Sequence, residues 1–414
     1  MPLKPIFYRK ALLVSLGFFL ISICLGLFLR FSQVWGISGF NYKYILHGHS
    51  HITLLGWVYN AFFLAIVRYV LPQGKQTTSY SRIFWITQTT ILASLISFPF
   101  QGYSVLSIVF STLFIICSYW FSIKVLRDLK EDKSIPSKWI RWAIYYLLIS
   151  SIGPWSLGAI MNLGLRDTDW YPLSIYFYLH FFYNGFFLFS IFGLAFKELE
   201  KLKTFWNQRK AHIIFYWFNL ACIPTFLLSV LWTNPPYWVY FIAFLATFTQ
   251  LVVCYLLIRF IRPYISSYKN KLSRTVSLLF KVVAVSFLLK LALQLSSSFP
   301  WMAEIIYSIK NYLVIGYIHV VMLGIVTSFL LGYFLFKKQF ILSSTGRLGI
   351  HLFFTGFVAS ELLLFGQGGL QMMRIGLIPF FYPLLFICSS LIPLGIAFFF
   401  INQMKKKGKK NPDT

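Results

Sequence analysis

The chain is poor in charge, above all in acidic charge. Only 11% of its 414 residues are charged, and 10 are Asp or Glu against 37 Lys or Arg. A soluble globular domain carries about 25% charged residues, so a water-facing fold of this length is excluded. No segment outside the apolar runs is long enough to form a soluble domain. Cysteines are few: Cys24, Cys117, Cys222, Cys254 and Cys388 all fall inside apolar runs and show no CxxC spacing. That argues against a disulfide framework or a zinc site, and the thiols read as small buried apolar side chains. There is no C-x-x-C-H string for covalent haem attachment, and no period-2 alternation that would signal a membrane barrel. The basic start MPLKPIFYRK precedes an apolar run too long for a signal peptide, with no cleavage site after it. It reads as the first span.

What the chain has is apolar length. It is 58% hydrophobic and 21% aromatic, and its apolar runs recur at roughly 20 residues, enough to cross a hydrocarbon core of about 30 Å. The expected fold class is all-α: a polytopic membrane helix bundle of about 12 transmembrane helices. The expected spans are 11–31, 46–70, 83–99, 102–124, 139–162, 173–196, 212–232, 237–260, 275–295, 312–337, 347–366 and 377–401. They form one transmembrane domain over 1–404, followed by a basic tail at 405–414. Pro99-Phe100-Gln101-Gly102 predicts a tight turn between spans 3 and 4, and Pro235-Pro236 a break between spans 7 and 8. No convincing internal repeat is visible.

On this topology 30 of the 37 Lys and Arg residues lie on one side, with five opposite (Arg30, Lys43, Arg166, Lys310, Arg374) and two, Lys281 and Lys290, inside span 9. The bias predicts cytoplasmic termini in a bacterial-type inner membrane. It also explains the net charge of +27 as attraction to anionic lipid. The lipid bilayer, not nucleic acid, is the expected partner.

Histidines carry the chemical signal. Residues 47–51 read His-Gly-His-Ser-His, so three of the seven histidines open span 2. Imidazole binds haem iron and transition metals, and an ionisable group at membrane depth is a functional-site hypothesis. His180 in span 6 and His319 in span 10 fall at a similar expected depth. His47 and His51 share one helix face, with His49 nearly opposite. Gly48 and Gly56 leave room for a flat macrocycle beside span 2. A haem held by two histidines draws them from facing helices, and spans 2 and 10 supply such a pair. Arg374 is at the right level to meet haem propionates. His212 and His351 start spans 7 and 11 and read as interfacial. Glu361, in mid-span 11, must be protonated or paired, and Lys290 is a candidate partner at similar depth. Asn184 is placed to orient His180.

Twelve spans with histidines on spans 2, 6 and 10 resemble subunit I of haem-copper oxidases and nitric oxide reductases. The resemblance implies a low-spin haem b on one of His47, His49 and His51 together with His319. It further implies a copper ligand at His180 and a propionate partner at Arg374; His49 and His51 are metal candidates on the alternative reading of a metal-handling transporter. Two departures stand out: span 7 has no internal histidine, and span 10 has one where that family has a close pair. The string His49-Ser50-His51-Ile52-Thr53-Leu54-Leu55-Gly56-Trp57 is similar to a motif of the NnrS family, and His319-Val320-Val321-Met322-Leu323-Gly324 to that family's later H-x4-G segment. Ile52 stands where that family has glutamate. These resemblances imply respiratory redox or nitric-oxide-related chemistry, with quinol or a separate cytochrome as electron donor. Whether the chain is itself an oxidoreductase is left open by the bare span 7. The alternatives are a non-catalytic respiratory subunit or assembly factor, and a metal-handling transporter.

Overall fold

The computed structural model describes residues 3–203, 206–269 and 271–404; the expected basic tail, 405–414, lies outside the described residues. Twelve helices long and apolar enough to cross a membrane are present, and no β-strand occurs among the described residues. They are α1 (Pro5–Trp35), α2 (Tyr42–Tyr69), α3 (Thr78–Gln101), α4 (Val105–Asp128), α5 (Ile135–Asn162), α6 (Trp170–Leu199), α7 (Gln208–Thr233), α8 (Tyr237–Tyr268), α9 (Arg274–Ser297), α10 (Asn311–Phe336), α11 (Ser344–Met372) and α12 (Phe381–Met404).

Local chemistry sets the ends. Asn41 caps α2, its side chain accepting from the amides of Lys43 and Tyr44, which starts this helix four residues before the expected position. Gly102, at φ +58°, turns the chain between α3 and α4. Asn234, at φ +51°, precedes the Pro235-Pro236 break. Both interruptions fall where the sequence predicts them. α5 is interrupted at Ser151, three residues before Pro154, as a proline inside a helix requires. The first and last described residues, near the α2–α3 and α10–α11 loops, mark one face, called here the terminal face. The Leu3 amide donates to the Gln76 carbonyl in the α2–α3 loop, and Gln403 is tied to Ile341 in the α10–α11 loop.

Burial sorts the spans into two groups. The apolar stretches of α2, α6 and α10 are 89%, 89% and 67% buried, against 33–50% for the other nine. These three form the centre. Trp57 of α2 donates to Thr327 of α10 at 3.0 Å, Phe62 stacks on Phe187 of α6, and Tyr333 of α10 donates to Glu198 of α6 at 3.2 Å. Trp57 is thus a core residue that links two inner helices.

The inner spans share a further property. Each has a π-helical stretch directly after a histidine: Ile52–Tyr59 after His51, Phe181–Phe187 after His180 and Val320–Thr327 after His319. Each repeats H-x4-G, ending at Gly56, Gly185 and Gly324. A side chain at these glycines would strike Phe18 of α1, Tyr146 of α5 and Ser286 of α9, which lie 38, 39 and 38 residues earlier in the chain. The expectation of no internal repeat is therefore corrected. The same pattern recurs every four spans, on the second, sixth and tenth helices that form the core. Lipid tails give helices no hydrophobic reason to associate, so close approach at small residues and interhelical hydrogen bonds hold them together. Gly56 is filled by this packing, and Gly48 has Pro99 against it. Neither leaves space for a macrocycle.

Candidate functional site

The clustered histidines part company along α2. Their i, i+2, i+4 spacing sends His47 and His51 to one face and His49 to the other. The Tyr103 hydroxyl lies 3.0 Å from His51 Nε2, and the His51 ring stacks on Phe98. The His47 ring meets Tyr103 edge-on at 4.6 Å. His49 turns toward α1. Its Nδ1 lies 2.7 Å from the Ser22 carbonyl oxygen, and its ring fills the space that Gly26 leaves open. Thr53 Oγ1 donates to the His49 carbonyl at 2.8 Å and also hydrogen-bonds Ser22.

Across the bundle, His319 Nδ1 lies 3.2 Å from Glu361 Oε1 on α11. Gly316, one turn before His319, leaves room for the other carboxylate oxygen. That oxygen, Oε2, is buried and has no hydrogen-bond partner among the described residues. The anticipated Lys290–Glu361 pair is not formed. Lys290 is fully buried on α9, and its Nζ donates to Gln294 at 2.7 Å on its own helix.

His49 and His319 line a single cavity of about 450 Å³, together with His47, His51 and Arg30. That volume is within the range of about 300–1,000 Å³ usual for cofactor pockets. Ser360 of α11, Ser389 of α12, Tyr178 and Phe182 of α6, Ser118 of α4 and Ser150 of α5 also line it. His49 and His319 have the same arrangement at Nδ1: each faces an oxygen acceptor, a carbonyl for His49 and a carboxylate for His319. An N–H at Nδ1 donating to that acceptor leaves Nε2 with its lone pair, the tautomer a metal-ligating histidine takes. His47 and His51 have no such acceptor at Nδ1 among the described contacts.

Arg30 is the cation the cavity holds. It lies near the end of α1, among the lining residues and close enough to Glu361 for their charges to interact. Arg374 stands beyond the end of α11 in a left-handed conformation (φ +57°), exposed, and does not line the cavity. Sequence reasoning counted Arg30 only as a topology marker. Its position one turn from Gly26 on the same helix is the signal that points to it.

His180 is apart from this cavity. It is buried, with Nε2 2.9 Å from the Cys222 carbonyl oxygen of α7 and Asn184 Nδ2 3.3 Å from its Nδ1. Asn184 does orient His180, and the bare α7 meets it with a backbone carbonyl. Among the described residues no three His, Cys, Asp or Glu side chains are gathered as a metal site. His212 is half-buried, with Nδ1 near the Gln208 carbonyl on its own helix. All five cysteines are free, and Cys24 is exposed.

The fold and site define a twelve-span helical membrane bundle with a histidine-lined cavity between its inner helices and the α1, α11 and α12 wall. The sequence matches no protein-family model and no curated protein.

Proposed function

We propose that this chain is a haem-binding membrane protein in which His49 and His319 hold one haem b from facing helices. The observation that carries this reading is the pairing of two imidazoles, on α2 and α10, that share a cavity and each have Nδ1 engaged by an acceptor. Arg30 then meets a propionate, and Ser360 and Ser389 supply hydroxyls at the wall. A haem held by two histidines supplies reversible one-electron chemistry. The chain's own residues fix ligand orientation, balance charge through Arg30 and Glu361, and exclude water with the apolar wall. Respiratory redox or nitric-oxide-related chemistry, with quinol or a separate cytochrome as donor, is the setting this reading favours. The bacterial inner membrane with cytoplasmic termini is the location favoured by the lysine and arginine bias.

A second reading has its own support. His180 Nε2 faces a backbone carbonyl, so the copper ligand role carried over from the oxidase resemblance has no assembled partners. This favours an electron-transfer or assembly subunit over an oxygen-reducing enzyme.

The test is an absorption spectrum of purified protein from haem-replete cells. Wild type is expected to show a low-spin Soret and reduced α-band. His49→Ala and His319→Ala each lose it, while His51→Ala and His180→Ala retain it. Wild type without haem overturns the proposal, and loss in His51→Ala with retention in His49→Ala reassigns the ligand.

A further inference from the structure

We propose that a notch between α9, α10 and α11 on the terminal face binds the headgroup of an anionic phospholipid. It is separate from the histidine cavity and does not depend on the haem reading. The notch has a volume of about 730 Å³ and is lined by Arg274, Lys338, Arg347 and His351 over an apolar floor that includes Leu335 and Phe340. No carboxylate lines it. The ion pairs among the described residues use Lys124, Lys201, Lys337 and His319, so the three strong cations of the notch are left uncompensated by protein carboxylates.

The cations are held in place by their helices. Arg274 is the first residue of α9, and Arg347 and His351 lie one turn apart on α11. Both helices begin here, so the positive ends of two helix dipoles add to the field. Lys338 sits just past α10 at φ +54°, its amide donating to the Leu335 carbonyl. The loop that follows is pinned, because Gln403 of α12 exchanges hydrogen bonds with both the amide and the carbonyl of Ile341. A pre-set basic notch with an apolar floor fits a phosphodiester that carries acyl chains. Free inorganic phosphate carries at least as much negative charge but has nothing to occupy the floor.

The test uses the full chain in neutral detergent, with phosphatidylglycerol, phosphatidylcholine and inorganic phosphate as probes. Native mass spectrometry reads lipid retention, and thermal unfolding reads stabilisation. Wild type is expected to retain phosphatidylglycerol at least tenfold more strongly than phosphatidylcholine, with no thermal shift from phosphate at equal concentration. A cation near an anionic headgroup contributes about fivefold in affinity, so Arg274→Gln with Arg347→Gln should weaken phosphatidylglycerol binding by roughly 25-fold. A control double substitution on the same face, Lys75→Gln with Arg209→Gln, should leave binding unchanged. Equal weakening in both doubles means diffuse surface attraction and overturns the site. Equal retention of the two lipids, or displacement of lipid by phosphate, overturns the lipid assignment. The wild-type lipid comparison needs no variant, so it decides the matter even where a substitution prevents folding.

Discussion

At the scale of single residues, the environment of each imidazole decides its role. His47, His49 and His51 are chemically identical and adjacent in sequence, yet only His49 has a carbonyl 2.7 Å from Nδ1. His319 has a carboxylate in the same place, and that difference has a consequence. A carboxylate behind a ligand makes the imidazole more electron-donating, and such partners typically matter 10- to 100-fold for metal affinity or activity. If His319 holds haem as proposed, Glu361→Gln is expected to weaken haem retention by about tenfold or more and to raise the midpoint potential, because less negative charge then stabilises the ferric form. A potentiometric titration checks this; an unchanged potential with unchanged retention would mean that Glu361 merely packs. The sequence made His319 and Glu361 conspicuous but could not pair them, since the pairing depends on the rotation of α11 about its axis. It could not choose among the three clustered histidines either, because the choice rests on Ser22 and Gly26, two unremarkable residues of another helix.

At the scale of elements, the π-helical stretches organise the inner helices. The twelve spans, their order and the turns at Gly102 and Pro235-Pro236 are legible in hydropathy and turn chemistry. The threefold repeat is not, because only two positions in each unit are constrained, a histidine and a glycine, and the apolar residues between them are interchangeable in lipid. Gly185 shows the constraint directly: a methyl group there would lie 2.4 Å from Tyr146 Cβ. Overpacking of this kind costs about 1–3 kcal/mol, so Gly185→Ala should lower the thermal unfolding temperature, whereas Gly158→Ala on α5, with nothing within 4 Å, should not. Connections carry chemistry of their own. Partial burial works against the charged form of Asp132, between α4 and α5. Hydrogen bonds from Ser137 Oγ, the Ser134 side chain and amide, and the charge of Lys197 outweigh it and hold the carboxyl below its ordinary value. A depressed carboxyl stabilises the fold above its unfolded pKa of about 3.9 and loses that contribution as pH falls through the lower folded value. Asp132→Asn should accordingly be less stable than wild type at pH 7, with the gap closing in acid. A gap that does not shrink at all as pH falls below about 3.9 would contradict this account.

At the scale of the whole molecule, one buried carboxylate joins the inner helices at the terminal face. Glu198 of α6 accepts from Lys337 at 3.0 Å and Tyr333 at 3.2 Å, both of α10, and pairs with Lys201 at 2.7 Å. Tyr268 of α8 donates to the Glu198 carbonyl at 2.8 Å. Removing one partner of a buried pair typically costs about 3–5 kcal/mol; Lys337 is partly exposed, so the lower end is expected for Glu198→Gln. Thermal unfolding should show it as a loss of stability well beyond that of Lys201→Gln, whose side chain is largely exposed. The bundle also closes on itself, since α12 packs along α1, with Phe386 against Phe31. The cavity takes its walls from α1 and α2 at the beginning of the chain, from α4, α5 and α6 in its middle, and from α10, α11 and α12 at its end. A ribosome adding about 5–20 residues per second therefore releases the first wall tens of seconds before the last. Until then His49 lacks His319 and the α11 and α12 wall that complete the cavity. If the cavity holds haem as proposed, loading would follow translation and would wait for the final span.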